Sequence, residues 1–130
     1  MSVELTMLIY SAGLYALIIL VQATLAIKQN GLMAQAGPRD NLPEPTLLRL
    51  RLLRLQGNMQ ENLVLFAIVV LAAQAVGALN GTTALCATLF FYARLAHALV
   101  YGFGWPAVRP LFWFVGWLCT VVIGVQALVA

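Results

Sequence analysis

Long stretches without a charged residue constrain this chain more than any other feature. Residues 5–27 carry no charge, and neither do residues 62–78 or 111–129. At about 1.5 Å per residue the first stretch is roughly 30 Å long or slightly more, enough to cross a bilayer. Only 8% of the residues are charged, whereas soluble domains have about 25%. The chain is therefore predicted to be an integral membrane protein.

Four helices fit the 130 residues, and a second domain does not. We predict a single all-α domain, an up-down bundle of four transmembrane helices at about residues 4–29, 46–78, 83–103 and 108–129. The second helix would be about 48 Å long, so its first half must tilt or project from the bilayer. Thr46 is a candidate N-cap, residues 29–45 form an interfacial loop, and Gly104-Trp105-Pro106 ends the third helix.

The basic residues predict how the chain is oriented. Glu4 stands where the basic region of a signal peptide would lie, so we expect the first helix to be retained.

Arg109 belongs to the third connection, whereas the N-terminus, the second connection and the C-terminus have no basic residue. The basic residues of the first connection are Lys28, Arg39, Arg49, Arg51 and Arg54. The positive-inside rule then places both termini outside and the first and third connections in the cytoplasm.

A polar stripe enters the membrane at the start of the second helix. Arg51, Arg54, Asn58 and Glu61 follow the spacing i, i+3, i+7 and i+10. This spacing places them on one face of a helix. Because polar side chains are costly in lipid, the stripe indicates a functional site.

A second polar stripe, Arg94, His97 and Tyr101, lies on the third helix at i, i+3 and i+7. Arg94 lies near the expected bilayer midplane, where an unpaired arginine is expensive, and Glu61 is an acid at a matching depth. We therefore predict an ion pair between Glu61 and Arg94, either as a purely structural link or also to position Glu61. Two stripes that open to one side predict a pocket for a small zwitterionic anion, with Arg side chains holding carboxylates and Glu61 an ammonium group.

The remaining chemistry of the sequence excludes other kinds of site. Two cysteines and one histidine do not form a metal-binding spacing, so we expect no metal. Cys86 and Cys119 lie in separate apolar segments at different expected depths, and we expect two buried thiols without a disulfide. The net charge is +3, but the basic residues lie between or within apolar segments, so we expect no nucleic-acid partner.

These motifs resemble those of the MAPEG family (membrane-associated proteins in eicosanoid and glutathione metabolism), in particular its small bacterial members. The resemblance covers nearly the whole chain. It rests on Arg54-x-Gln56-x-Asn58-x-x-Glu61 in the second helix, Arg94-x-x-His97-x-x-x-Tyr101 in the third, and Arg109 shortly afterwards. It implies a homotrimer of four-helix subunits in the bacterial inner membrane, with glutathione bound in a cytoplasm-facing cleft between neighbouring subunits.

The resemblance also implies roles for individual residues. Arg109 would be the catalytic residue, stabilising the glutathione thiolate, because a cation beside a thiol lowers its pKa from about 8.5. Trp113 and Trp117 would line the approach of a hydrophobic substrate from the lipid, and an interfacial aromatic belt explains them equally well. The residues expected to contact glutathione are Arg51, Arg54, Gln56, Asn58, Glu61, His97 and Tyr101.

The expected function is that of a glutathione-dependent transferase or peroxidase acting on lipophilic electrophiles, with glutathione as co-substrate. The alternative is a non-catalytic membrane binding or scaffold protein of the same fold, a kind of protein that the family also includes. Pure scaffolding is disfavoured because the residues of the expected ligand site are all present, namely Arg54, Asn58, Glu61 and Tyr101. A transporter or channel is disfavoured, because one charge pair that opens to one side gives no path across the membrane.

Overall fold

Four long helices and one short helix make up the part of the chain that the structure, a computed structural model, describes, namely residues 1–104 and 108–130. In chain order the helices are α1 (Val3–Asn30), α2 (Leu32–Ala36), α3 (Leu47–Ala75), α4 (Gly81–Phe103) and α5 (Arg109–Leu128). The four long helices are each long and apolar enough to cross a membrane. The predicted all-α fold with four spanning helices is confirmed, and α1, α3, α4 and α5 correspond to the first to fourth predicted helices.

The ends of the helices follow from capping residues. Thr46 caps α3 as predicted, because its hydroxyl accepts a hydrogen bond from the backbone N–H of Arg49 at 3.3 Å. The helix ends at Ala75, three residues before the predicted end at residue 78, because Gly77 adopts φ 70°, a left-handed conformation that terminates helices. Gly104, at φ 74°, ends α4, and the rest of the predicted Gly-Trp-Pro break lies outside the described residues.

The first connection is ordered by hydrogen bonds to one glutamine. Gln29 Nε2 donates to the backbone oxygen of Glu44 at 2.8 Å, and Arg49 Nη1 donates to Gln29 Oε1 at 2.7 Å. Arg49 is thereby buried at the foot of α3. The short helix α2, which the sequence did not predict, lies within this connection. The first connection is therefore held against the start of α3.

The helices pack so that α3 and α4 lie diagonally across the bundle. The contacts of α4 with α5 are the most extensive, α1 and α5 each pack against both α3 and α4, and α3 and α4 make the least backbone contact of these pairs. Phe66 of α3 and Phe90 of α4 fill the diagonal space with stacked rings whose centroids are 3.8 Å apart. Two large aromatic side chains are therefore what joins these helices at the centre of the bundle.

An apolar core occupies the half of the bundle near the second connection. Its buried members come from α3, from the turn after it, from α4 and from α5: Phe66, Val70, Ala73, Ala78, Cys86, Ala87, Phe90, Cys119 and Ile123. A smaller buried cluster of Ile18, Leu55 and Met59 lies between α1 and α3. The apolar core thus closes one half of the bundle and leaves the polar stripes to the other.

The two cysteines lie side by side in this core, so the expectation that they occupy different depths is wrong. Both thiols are free, as expected, but they are buried in the same cluster and lie near each other. The reason is the antiparallel register of α4 and α5. Asn80 Nδ2, just before α4, donates to Gln126 Oε1 at 2.8 Å, and in that register Cys86 lies opposite Cys119.

A buried carboxylate ties the start of α1 to the start of α4. Glu4 is only 3% exposed, and its Oε1 accepts a hydrogen bond from the Thr83 hydroxyl. The same hydroxyl accepts a hydrogen bond from the backbone N–H of Asn80 at 2.8 Å, as part of a capping box. Thr83 therefore satisfies two polar groups at the end of the bundle opposite the polar stripes.

We expect Thr83→Val to lower the thermal stability of the purified protein, because it leaves the Glu4 carboxylate buried without its donor. The expected cost is about 1–3 kcal/mol, measured by thermal unfolding in detergent. Thr82→Val, on the exposed neighbouring position, is the matched control and should leave the melting temperature almost unchanged. Equal shifts for the two variants would contradict this role of Thr83.

Candidate functional site

A cavity of about 540 Å³ opens among α3, α4 and α5, at the end of the bundle that carries the first and third connections. It is lined by Arg54, Gly57, Asn58, Glu61, His97, Tyr101, Arg109, Pro110 and Trp113. Its volume lies within the usual range for small-molecule sites, about 300–1,000 Å³. The cavity brings together most of the predicted site residues from three helices.

Helical spacing explains how α3 and α4 supply this lining. Arg54, Asn58 and Glu61 recur at intervals of four and three residues, so they share one side of α3. Gly57 lies among them and has no neighbouring atom within 4 Å of the position of a Cβ, which leaves room beside their side chains. His97 and Tyr101 are four residues apart on α4. The two polar stripes therefore meet at one cavity.

Arg109, at the start of α5, lies over the aromatic ring of Tyr101 from α4. Its guanidinium carbon lies 4.9 Å from the centroid of the Tyr101 ring, which is within the range of a cation–π contact. Tyr101 thus supports the cation as well as lining the cavity. Arg54 and Arg109 contribute two positive charges to the lining, against one negative charge from Glu61. This balance favours a ligand with net negative charge.

The predicted ion pair between Glu61 and Arg94 is not present, and this prediction is corrected. Arg94 Nη2 instead donates to Asn58 Oδ1 at 2.7 Å, and Arg94 is only 1% exposed. The buried side of α3 carries Asn58, Asn62 and Phe66 at intervals of four residues, which puts an amide opposite Arg94. Glu61 is rotated away from that side and is exposed at the cavity.

Asn62 contacts the site residue Asn58 from the buried side of α3, although the sequence places it at the start of an apolar segment. It is 7% exposed, and its Nδ2 donates to the backbone oxygen of Asn58 at 2.8 Å. The same nitrogen lies 3.4 Å from Asn58 Oδ1. The signal that identifies it is the i+4 spacing from Asn58, since two amides one turn apart in a membrane helix are expensive unless they bind each other.

Arg51 does not line the cavity. Its guanidinium lies against Gly104 at the end of α4, where a Cβ added to Gly104 would come within 3.2 Å of Arg51 Cζ. A cation at the C-terminus of a helix is favoured by the helix dipole. Arg51 therefore lies where its charge stabilises the end of α4.

Gln56 lines a different cavity. This second cavity, of about 340 Å³, lies among α1, α2 and α3 and is lined by Ile19, Gln22, Ala23, Ile27, Leu32, Gln35, Ala36, Arg39 and Gln56. Gln56 and Asn58 are two residues apart, so their side chains leave α3 in different directions. A single chain therefore does not present Gln56 and Asn58 to one ligand.

The aromatic residues of α5 are divided in the same way. Trp113 lines the first cavity, whereas Trp117 is exposed on the bundle surface and is not among the lining residues. The two rings stack with centroids 6.3 Å apart. They form a continuous aromatic surface from the cavity to the outside of the bundle.

Comparison with protein families identifies the chain. The model of the MAPEG family matches residues 5–129. The chain belongs to the MAPEG family. Neither the curated proteins nor the solved structures give a significant match. The matched region of this MAPEG protein includes every residue that lines the first cavity, and its described part contains no group of His, Cys, Asp and Glu side chains suited to a metal ion.

The position of Arg51 leads to a test on Gly104. Gly104→Ala places a Cβ in a left-handed backbone conformation, at φ 74°, so backbone strain opposes it, and the Arg51 guanidinium 3.2 Å away must shift slightly. The expected loss of stability is about 1–2 kcal/mol, measured as a lower melting temperature. Gly102→Ala is the matched control, because Gly102 is helical and has open space at its Cβ position, and alanine there should be neutral or stabilising. A Gly104→Ala protein as stable as the control would contradict the contact.

Proposed function

We propose that this MAPEG protein is a glutathione-dependent transferase or peroxidase that acts on lipophilic electrophiles. The observation that carries the proposal is the lining of the first cavity, where Arg54, Arg109 and Glu61 face one space of about 540 Å³. Glutathione has two carboxylates, one ammonium group and a thiol. In this assignment Arg54 binds a carboxylate, Glu61 the ammonium group and Arg109 the thiolate.

The position of Arg109 suits the activation of a thiol. It stands in the first turn of α5, where the positive end of the helix dipole adds to its own charge. A cation and a helix N-terminus both stabilise a thiolate relative to the thiol, so more nucleophile exists at neutral pH. The thiol releases its proton to water through the open mouth of the cavity. The thiolate sulfur then attacks the electrophile, and the leaving group departs with the electron pair of the broken bond.

The second substrate would enter from the lipid. The stacked pair Trp113 and Trp117 connects the cavity to the outer surface of the bundle. A lipophilic electrophile dissolved in the bilayer can move along such a surface without crossing water. This route would bring it to the side of the cavity where Arg109 lies.

Gln56 supports an assembly in which glutathione binds between subunits. We propose a homotrimer in which the first cavity of one subunit faces the second cavity of its neighbour. Gln56 would then reach the ligand from the neighbouring subunit, together with other polar residues of the second cavity, such as Gln35 and Arg39. This arrangement would reconcile the sequence motif with the separation of Gln56 from Asn58 within one chain.

The proposed location is a bacterial inner membrane with the site open to the cytoplasm. Arg54 and Arg109 of the cavity and Lys28 and Arg39 of the first connection all lie at the same end of the bundle. The positive-inside rule favours this end for the cytoplasm, which places both termini outside. The cytoplasm is also the compartment in which thiols are kept reduced.

Arg109→Ala should abolish most of the activity. With the purified protein in detergent, glutathione and a generic aryl halide, we expect conjugation to fall by roughly 100-fold or more, as for removal of a group that stabilises a reacting anion. Arg109→Lys should retain part of the activity because it keeps the charge. Lys28→Ala is the control, since it removes an exposed cation at the same end of the bundle that lines neither cavity.

Two other outcomes would count against the proposal in different ways. Glutathione that raises the melting temperature at millimolar concentration without turnover of any electrophile would favour a non-catalytic binding protein. A protein that shows neither a shift in melting temperature nor turnover across a broad panel of electrophiles and hydroperoxides would exclude the glutathione function.

The composite site can be tested by mixing inactive subunits. Gln56→Glu adds a negative charge beside an anionic ligand and should weaken glutathione binding enough to remove activity at a low glutathione concentration, at which all samples are assayed. In a trimer that contains both variants, one interface joins the intact Arg109 of a Gln56→Glu subunit to the intact Gln56 of an Arg109→Ala subunit. Co-expression should therefore restore activity that neither variant has alone. If all contacts came from one subunit, each site would carry one defect and the mixture would stay inactive. Native mass spectrometry of the same sample verifies that it contains mixed trimers.

A further inference from the structure

The side chain of Asn58 is fixed by two neighbours. Its Oδ1 accepts a hydrogen bond from Arg94 Nη2 at 2.7 Å and lies 3.4 Å from Asn62 Nδ2. The same Asn62 nitrogen binds the Asn58 backbone oxygen at 2.8 Å. Both neighbours are buried, at 1% exposure for Arg94 and 7% for Asn62. Asn58 is therefore held from inside the bundle while it lines the cavity.

These contacts determine which end of the Asn58 amide faces a ligand. A guanidinium has five N–H donors and no acceptor, so the atom opposite Arg94 must be the oxygen of Asn58 and not its nitrogen. The oxygen is thereby occupied. The Nδ2 group, with two N–H donors, is the end of the side chain that remains for a molecule in the cavity.

Arg94 is suited to hold this orientation because it has no competing polar partner. Within the described residues its Nε and Nη1 atoms have no hydrogen-bond acceptor, and no ion pair with a carboxylate is formed. α5 packs closely on the side chain, since a Cβ added to Gly116 would lie 3.5 Å from Arg94 Cδ. Its positive charge behind the Asn58 oxygen also polarises the amide and strengthens the Nδ2 donors.

We propose that Arg94 is a positioning residue that makes Asn58 a donor-only group, so that this point of the cavity selects an acceptor such as a carboxylate or carbonyl oxygen. This inference rests on the proposed function for the identity of the ligand, glutathione. Arg94 touches no substrate in this scheme. It acts through Asn58, and Asn62 completes the arrangement.

Asn58→Asp is the sharpest test. Aspartate keeps an oxygen for Arg94 and should fold at least as well, but it replaces the donor that faces the cavity with a second, charged acceptor. We expect the affinity for glutathione to fall by roughly tenfold to a hundredfold, with an unchanged or higher melting temperature. Asn80→Asp makes the same chemical change at the cap of α4, at the opposite end of the bundle, and should leave glutathione affinity unchanged.

Variants of Arg94 separate positioning from simple structural support. Arg94→Met frees the Asn58 amide to rotate, so we expect KM for glutathione to rise roughly tenfold with little change in kcat at saturating glutathione. Arg94→Lys still offers only donors to the Asn58 oxygen and should recover much of that loss. Normal glutathione affinity in a folded Asn58→Asp protein, or equal KM values for Arg94→Met and Arg94→Lys, would overturn the inference.

A measurement without ligand distinguishes this inference from the proposed function. The side-chain amide NMR signal of Asn58, assigned by its loss in Asn58→Asp, should shift in Arg94→Met protein and stay in place in Asn80→Asp protein. An unchanged signal overturns the positioning role whatever the ligand is. An unmodified protein that fails to bind glutathione, but whose Asn58 signal responds to Arg94→Met, would refute the glutathione function and leave the positioning role standing.

Discussion

The hydrogen bond between Arg94 and Asn58 is the interaction on which the cavity depends. A guanidinium within a membrane-spanning helix is tolerated only when protein surrounds it and supplies partners. Arg94 is 1% exposed and reaches across the diagonal of the bundle from α4 to an amide on α3. This contact fixes the two polar stripes relative to each other. Because the acceptor is a neutral amide, Glu61, the acid of the first stripe, remains available at the cavity.

The aromatic stack beside this hydrogen bond explains why the cavity lies where it does. Phe90 is one turn from Arg94 and stacks on Phe66, which is one turn from Asn62. The two rings fill the space between α3 and α4, so the bundle is closed from that level to the second connection. Beyond Arg94, the side chains of Asn58, Glu61 and His97 line the first cavity among α3, α4 and α5. The space there is lined by polar groups and is open.

The fold was predictable from the sequence because lipid imposes a simple rule: an apolar stretch must be long enough to cross and must satisfy its own backbone. The membership of the two stripes was also predictable, since helical spacing fixes it. What the sequence could not supply was the rotation and register of the helices in the bundle. For this reason the sequence did not predict that Arg51 lies at the C-terminal end of α4, that Gln56 lines the second cavity, or that Cys86 lies beside Cys119. The partner of Arg94 was wrongly predicted because charge was matched without regard to the buried side of α3.

The same physics bears on how subunits would recognise each other. The free energy of an apolar helix face is similar whether it contacts lipid or another apolar helix. The exposed hydrophobic residues of α1 therefore do not by themselves select a neighbouring subunit. The second cavity is different, because it places polar groups on an outward side of the bundle. One of them, Gln22 Oε1, is buried without a hydrogen-bond partner within the described part of the chain. An unpaired polar atom costs free energy when it faces lipid, whereas a polar ligand shared with another subunit can form a hydrogen bond with it. In the proposed trimer, specificity would therefore come from the glutathione site itself, with the apolar contacts adding area around it.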